Sequence, residues 1–452
     1  METFRTNFTR TLTDADSKHH IPFPIQLPPG ATQLTIDFSY SPHRVEGIKN
    51  LLPLTVFDPA GFRGAGHRPG NHHVVIGTQQ ASPGFLPGPL PTGEWVVQVD
   101  AHMVMPGEPC HIQLDVSASD EQPQDRIAPP LPGHTASRGP GWYRGDVHAH
   151  SIHSDAPWDI PDLIAWARSR HLDFCTLTDH STVSGLSQML SFSADDLLTM
   201  GGMEFTTFHG HALALGVREW IDWRLDANGR TMEQVAQEVE TRGGLFIMAH
   251  PKEIGDPYCT GCQWEYAEMR PGGAHVVEVW NHGWEGESNN EEGLQLAYEW
   301  LNDGCHLALT SGNDNHGRNP DAKHFAFDVV YAEDLSEREI LRAIRAGHLY
   351  VSAGPRFEFT ASAGNDKGMM GDTLNVAAGA PVQLSAAWRD GPENAQLCLI
   401  ADGMARESLS VGPAGEHRWE LQGGEANWCL LTLRAPNGLM LALTNPIFLD
   451  WR

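Results

Sequence analysis

Residues 161–185 read PDLIAWARSRHLDFCTLTDHSTVSG and set a helix, a short apolar strand and a polar pair one after another. Pro161 to Arg170 places Leu163, Ile164, Trp166 and Ala167 on one helical face. Leu172 to Thr178 has the length and apolar character of a buried strand, and Asp179 and His180 follow it directly. The same unit recurs downstream. Met232 to Thr241 stops at Gly243-Gly244 before Leu245 to Met248, and Glu291 to Asn302 stops at Gly304 before His306 to Thr310. Ser336 to Ala346 before Leu349 to Ser352 repeats it once more. Alternating helices and strands predict a mainly parallel α/β arrangement, and a sheet closed into a barrel is one way to build it.

On either side of this region the pattern changes. Residues 1–128 carry short β-branched or aromatic runs, such as Gln33 to Tyr40, Leu52 to Phe57, His73 to Ile76 and Trp95 to Val99. Pro and Gly turns separate them, which predicts an N-terminal β-sandwich with no catalytic constellation of its own. Residues 129–141 lie in a Pro, Gly and Ser-rich stretch without apolar periodicity and read as a linker. The α/β region spans 142–355. Residues 356–452 return to strand-like runs, including Val382 to Trp388 and Trp428 to Ala435, and predict a C-terminal β domain.

A chain of 452 residues has room for several such domains. Its 57 acidic against 30 basic side chains give a net charge of −27, which disfavours non-specific binding to nucleic acid or anionic lipid. An anionic substrate therefore needs local cations. The 24 histidines, with many carboxylates beside them, are a rich supply of metal-binding groups. The first twenty residues lack the apolar core of a leader, and no run approaches the length of a membrane span, so the expected compartment is the cytoplasm. Seven cysteines, an odd number over a long chain, suit a reducing compartment; the lone Cys259-x-x-Cys262 reads as a loop thiol pair without assigned chemistry.

Every strand of the central region ends in residues able to bind metal although its body is apolar. Asp146 to His150 (DVHAH) ends the first, and Asp179 with His180 the second. Glu204, His211, His250 and the pair Asp314 and His316 mark later ends. In parallel α/β folds the carboxyl ends of strands converge on one face. Residues two apart on a strand share a side, so His148 points with His150, Asp314 with His316, and His209 with His211. Imidazole and carboxylate together suit Zn, Mn or Fe.

HAHSIHSD (148–155), LTDHSTVSG (177–185), GMEF (202–205) with GHALALG (210–216), MAHP (248–251) and SGNDNHG (311–317) resemble, in order and character, the polymerase and histidinol phosphatase (PHP) superfamily. The β-rich flanks look most like its carbaryl-hydrolase-like branch, CehA/McbA. The resemblance implies a distorted (β/α)7 barrel with two or three divalent metal ions. His148, His150, Glu204 and Asp314 would hold the first; Glu204 would bridge to a second shared with His211 and His250; Asp155, His180 and His316 would hold the third. His211 is favoured over His209 because GHALALG matches the motif, and His153 reads as a supporting rather than a ligating residue. The family's Gly-Ser-Asp-x-His stands here as Gly312-Asn313-Asp314-Asn315-His316.

The implied activity is hydrolysis of a small phosphomonoester, cyclic phosphate or phosphodiester by a metal-bridging hydroxide, with Glu204, Asp314 and His316 as catalytic residues. Lys252 and Arg318 are expected substrate contacts because they lie on the ligand-bearing loops, and Asn281 and His282 because they end the HVVEVW run, where the resemblance implies a polar substrate contact. Carbamate or carboxylic ester hydrolysis at the same metals is the alternative, and a non-catalytic, metal-stabilised binding protein is a third reading. The partner expected is a small ester; neither nucleic acid nor membrane is.

Overall fold

The computed structural model describes residues 4–120, 130–266, 275–317 and 325–451. The N-terminal part forms two four-stranded antiparallel sheets. One orders Phe4–Leu12, Cys110–Ser119, Gln33–Ser41 and His72–Gly77; the other His19–Leu27, Gly93–Ala101, Leu54–Asp58 and Gly61–Gly66. Strict alternation explains the packing: Leu34, Ile36, Phe38 and Tyr40 from one sheet and Ile21, Phe23, Ile25 and Leu27 from the other are buried in a single core.

The central strands belong to a 15-stranded sheet. Across it run Ala308–Gly312, Val276–Asn281, Leu245–Met248, His211–Leu215, Leu198–Thr206, Phe174–Leu177 and Gly141–Asp146, then Phe327–Ala332 and Leu349–Ser352. The helix Ile160–Ser169 connects the parallel pair Gly141–Asp146 and Phe174–Leu177. The Asp159 carboxylate caps it by accepting from Ile160 N at 2.7 Å, and it buries Leu163, Ile164, Trp166 and Ala167, the face expected from the sequence. Helix Met232–Thr241, capped by Thr231, likewise precedes Leu245–Met248.

The arrangement is less parallel than expected. His211–Leu215 runs antiparallel to both neighbours, Leu198–Thr206 and Leu245–Met248. The four residues 207–210 between Thr206 and His211 are too few for a crossover, so the chain must return beside itself. At the far end of this row a parallel bridge between Ala149 and Asn315, with His150 N donating to Asn315 O at 3.0 Å, joins the chain just beyond Gly141–Asp146 to the chain just beyond Ala308–Gly312. The carboxyl ends of the first and last strands therefore meet.

The same sheet crosses the expected boundary at residue 355. Leu349–Ser352 pairs antiparallel with Met440–Thr444, and Trp428–Arg434, Ala395–Ala401 and Met404–Val411 follow outward. Asn445, fully buried, accepts from Leu309 N at 2.7 Å and donates to Leu309 O at 2.8 Å and Leu349 O at 3.1 Å. A buried side-chain amide with both ends satisfied fixes the C-terminal strands against the central ones. Among the described residues no helix is long and apolar enough to cross a membrane.

Candidate metal centre

Glu204 sits inside the fully buried strand Leu198–Thr206, and five histidines converge on its two oxygens. His148 Nε2, His150 Nε2 and His180 Nδ1 lie 3.4, 3.3 and 2.7 Å from Oε2. His211 Nδ1 and His250 Nε2 lie 3.0 and 3.3 Å from Oε1. Asp314 Oδ1 is 2.8 Å from His150 Nε2 and 3.4 Å from His148 Nε2. Asp155 Oδ1 is 2.9 Å from His316 Nε2 and 3.6 Å from His180 Nε2. Three overlapping sets have donor atoms close enough to share an ion: His148, His150, Glu204 and Asp314; Glu204, His211 and His250; and His150, Asp155, His180 and His316. All nine residues expected as ligands fall in them, and His150 faces two.

The donor atoms themselves test whether cations fit. His148 Nε2, His150 Nε2, His211 Nε2, Glu204 Oε2 and Asp314 Oδ1 are all buried and, though they crowd one another, none makes a well-formed hydrogen bond. Leaving so many polar atoms unsatisfied in a well-packed interior is costly. A hard or borderline divalent cation satisfies an imidazole and carboxylate set of this kind.

The backbone is shaped around these groups. His250 (φ +26°) and Asp314 (φ +44°) occupy the left-handed region without being glycine, each at a cost of order 1–3 kcal/mol that the surrounding packing must offset. Gly312 has no room for a side chain, because a Cβ there would lie 2.2 Å from Glu278 Oε1 and 2.5 Å from His148 Cβ. Trp158 donates from Nε1 to His150 O at 2.7 Å, and a Cβ on Gly317 would meet its ring at 2.4 Å, so two glycines of SGNDNHG let the loop close over its supports.

A second layer orients the first. Glu278 Oε2 holds His148 Nδ1 at 3.1 Å, and Asn281 Nδ2 donates to Glu278 Oε1 at 2.9 Å. Asp179 accepts from Ser151 N, Ser151 Oγ and Ser154 Oγ at 2.6–2.8 Å and so fixes the loop that ends in Asp155. Asp146 accepts from His148 N and Asn313 N, tying both ligand-bearing loops together; burial pushes its carboxyl up to about 6.

Charge is distributed accordingly. Burial alone would raise Glu204, yet His180, His148 and His211 hold it well below the usual carboxylate range. Burial opposes the charged form of His150, but the adjacent carboxylates of Asp314 and Glu204 lift it to about 10. His250 reaches about 10 against its own burial through Glu253 and Glu204. His148 and His316 are raised as well, against burial, by Asp314 and Asp155 respectively. A ligating imidazole must be neutral, so metal loading at pH 7.5 is expected to release up to three protons, one each from His148, His150 and His250. Apparent affinity then rises with pH and falls in acid. Calorimetric titration of Mn2+ or Zn2+ in buffers of different ionisation enthalpy reads the number, and zero release would contradict this proton-for-metal exchange.

Glu253 and Glu278 escaped the sequence reading. Glu253 joins His250 and Asp314 in a fourth possible ion-binding set, its Oε2 3.1 Å from His250 Nδ1, and burial raises it to about 7. Glu278 carried a usable signal, being a carboxylate in the body of the apolar run HVVEVW. The expected substrate contacts fare unequally. Asn281 is fully buried and its amide engaged with Glu278 and Ser288. His282 is exposed beside Asn281 Oδ1, and Lys252 is half-buried just after His250-Pro251. Arg318 lies outside the described residues. His209 points to Glu265 at 2.8 Å and away from Glu204, while His153 Nδ1 rests 2.8 Å from Ser184 Oγ outside all four sets. Cys259 and Cys262, expected as a thiol pair, are joined in a disulfide. Their loop packs on the site: the carbonyl of Cys262 is 3.3 Å from His250 Nδ1, and a Cβ on Gly261 would stand 3.1 Å from His211 Nε2.

No family model matches the chain, and no curated protein matches it significantly. Among solved structures it is similar to a two-domain protein from Bacteroides vulgatus containing a predicted PHP-like metal-dependent phosphoesterase, at 15% identity and a TM-score of 0.39, covering 72% of this chain and 100% of that one. It is also similar to a protein from Bifidobacterium adolescentis described as a candidate metal-dependent phosphoesterase, at 17% identity and a TM-score of 0.29, over 44% of this chain and 94% of that one. A third likeness is to an amidohydrolase from Chromobacterium violaceum with bound sulfate and no metal, at 14% identity and a TM-score of 0.27, over 40% and 90% of the two chains. Likeness at this level decides nothing about this chain's chemistry, which rests on its own residues.

Proposed function

We propose that the chain is a metal-dependent hydrolase of the PHP superfamily, its central strands forming a distorted barrel, and that it cleaves small phosphate esters at a centre of two or three divalent ions. The observation that carries this reading is the convergence of buried, hydrogen-bond-deficient imidazole and carboxylate atoms around Glu204. The motifs HAHSIHSD, LTDHSTVSG and SGNDNHG support the superfamily, and the Ala149–Asn315 bridge supports closure of the strand row.

Divalent cations, if held by these residues, would supply Lewis-acid activation of water and neutralise charge that builds on the ester oxygens. The protein's own part follows from burial. His148, His150 and Glu204 have no solvent exposure and form the floor, whereas the side chains of Asp314, His316 and Asp155 are 11%, 16% and 17% exposed. An ester entering the centre meets this second group first. Asp314, whose Oδ1 lies between His148 and His150, is placed to carry the proton that the departing alcohol needs. Lys252 is a cationic contact for the substrate at the His250 loop.

The test is elemental analysis of the purified chain together with turnover of p-nitrophenyl phosphate, bis(p-nitrophenyl) phosphate and a naphthyl carbamate. Two or three metals with phosphate ester turnover is the expected outcome. Preference for the carbamate would replace the phosphoesterase reading with carbamate or carboxylic ester hydrolysis, and metal without any turnover would favour a binding protein.

A further inference from the structure

The N-terminal sheets showed no catalytic constellation in sequence, yet one of their turns reaches the metal centre. Gly66 to Gly70 (GHRPG) follows the strand Gly61–Gly66. It brings the His67 ring to 4.6 Å from the His180 ring, centroid to centroid, and backs it with His102 at 4.7 Å. His67 is half-buried, and no hydrogen bond to its ring is found among the described residues. Arg68 donates from Nη2 to Ile152 O at 2.5 Å, within the loop that carries His150 and Asp155. Its Nε is buried with no hydrogen-bond partner, and its charge lies within the field of Asp155 and Asp179.

The turn is held rigidly in this place. A Cβ on Gly64 would fall 2.4 Å from Phe85 Cα, and one on Gly84 would fall 2.4 Å from Ala65 O and 2.9 Å from His153 O. Gly84 N donates to Ser184 Oγ at 3.1 Å, and Thr182 Oγ1 donates to Gly84 O at 2.8 Å, so the N-terminal loops grip the segment that follows His180. Farther out, Phe62 stacks on Trp220 at 4.2 Å and Lys18 pairs with Asp256 at 2.9 Å. The interface is thus built on both sides of the turn. His67 and Arg68 stand beside Asp155 and His180, two members of the set whose Asp155 and His316 retain exposure.

We propose that the N-terminal β domain completes the active site, His67 and Arg68 binding the phosphate oxygens of the substrate at the rim formed by Asp155, His180 and His316. The inference rests on the phosphoesterase reading and adds the recognition element it lacks. In a chain of net charge −27 with several carboxylates at the centre, an anionic ester needs a fixed cation, and a guanidinium pairs with phosphate oxygens through a fork of N–H donors. An orphaned Nε gains a partner when an oxyanion arrives. An unpaired imidazole beside it adds a second donor without adding charge.

The experiment uses the full chain loaded with Mn2+, as wild type, Arg68→Ala, Arg68→Lys and His67→Gln. Inorganic phosphate binding is read by calorimetry, p-nitrophenyl phosphate kinetics by KM and kcat, and each variant is checked for metal content and melting temperature. Arg68→Ala is expected to weaken phosphate binding and raise KM about 10-fold, with kcat changed less and metal content retained. His67→Gln should do the same to a smaller extent, and Arg68→Lys, which keeps the charge and loses the fork, should fall between wild type and Arg68→Ala. Should Arg68→Ala fail to fold, Arg68→Lys and His67→Gln carry the test. Metal-replete, folded variants with wild-type phosphate affinity and KM would overturn the proposal, as would a metal-loaded wild type that binds no phosphate. Wild type that binds phosphate through Arg68 but turns over no phosphate ester would instead refute the phosphoesterase reading and leave the binding role standing.

Discussion

Glu204→Ala is expected to leave the protein nearly free of divalent metal after gel filtration and to lower turnover by about a thousandfold or more. Its two oxygens reach His148, His150, His180, His211 and His250, and it belongs to two of the ion-binding sets. Removing it does more than delete one ligand. The carboxylate is fully buried among histidines, so its loss leaves those imidazoles without the anion that orients and charges them. Elemental analysis beside an activity assay reads both effects. A Glu204→Ala protein that retains wild-type metal would mean that the histidines hold the ions by themselves, and the bridging role would be wrong.

The second large effect concerns stability. Stripping the protein with a chelator is expected to lower its melting temperature by about 5–10 °C, following the roughly 4 kcal/mol that a ligand at a thousandfold excess over its dissociation constant contributes. The structural reason is a concentration of buried charge. Asp155, Glu204, Glu253, Glu278 and Asp314 crowd a volume in which the carboxylates repel one another unless cations or protonated histidines stand between them. Differential scanning calorimetry with and without chelator decides it. Re-addition of metal should restore the higher transition, and an unchanged transition across chelation would show that no ion contributes to folding.

Much of this was legible in the sequence, for a definite reason. Strands buried on both faces must be apolar along their length, so a His or Asp at a strand end stands out, and LDFCTLT followed by Asp179 and His180 is a clear instance. The helix over Ile160–Ser169 was equally plain because one face is continuous and the other polar. What the sequence hid depends on partners distant in the chain. Nothing in GHRPG announces that His67 will lie against His180, since a turn has no periodicity and its neighbour comes more than a hundred residues later. The antiparallel return at His211 was hidden behind a motif read for its histidine and not for its short turn. Glu253 follows His250 at i+3 on a loop, where no regular geometry reveals a shared target. Asn281, read as a substrate contact at a strand end, is fully buried with its amide donating to Glu278, a partner three residues back that no strand pattern announces.

The pairing of Leu349–Ser352 with Met440–Thr444, locked by Asn445, also bears on how the chain comes to be folded. During synthesis the candidate metal ligands, all within residues 148–316, leave the ribosome well before Met440 does. Until then Leu349–Ser352 has one open edge, and Leu309 lacks the amide that covers its backbone. An exposed strand edge in a nascent chain invites pairing with the wrong neighbour. The last strands thus act as a late clasp, closing an edge that the earlier-made central strands leave open.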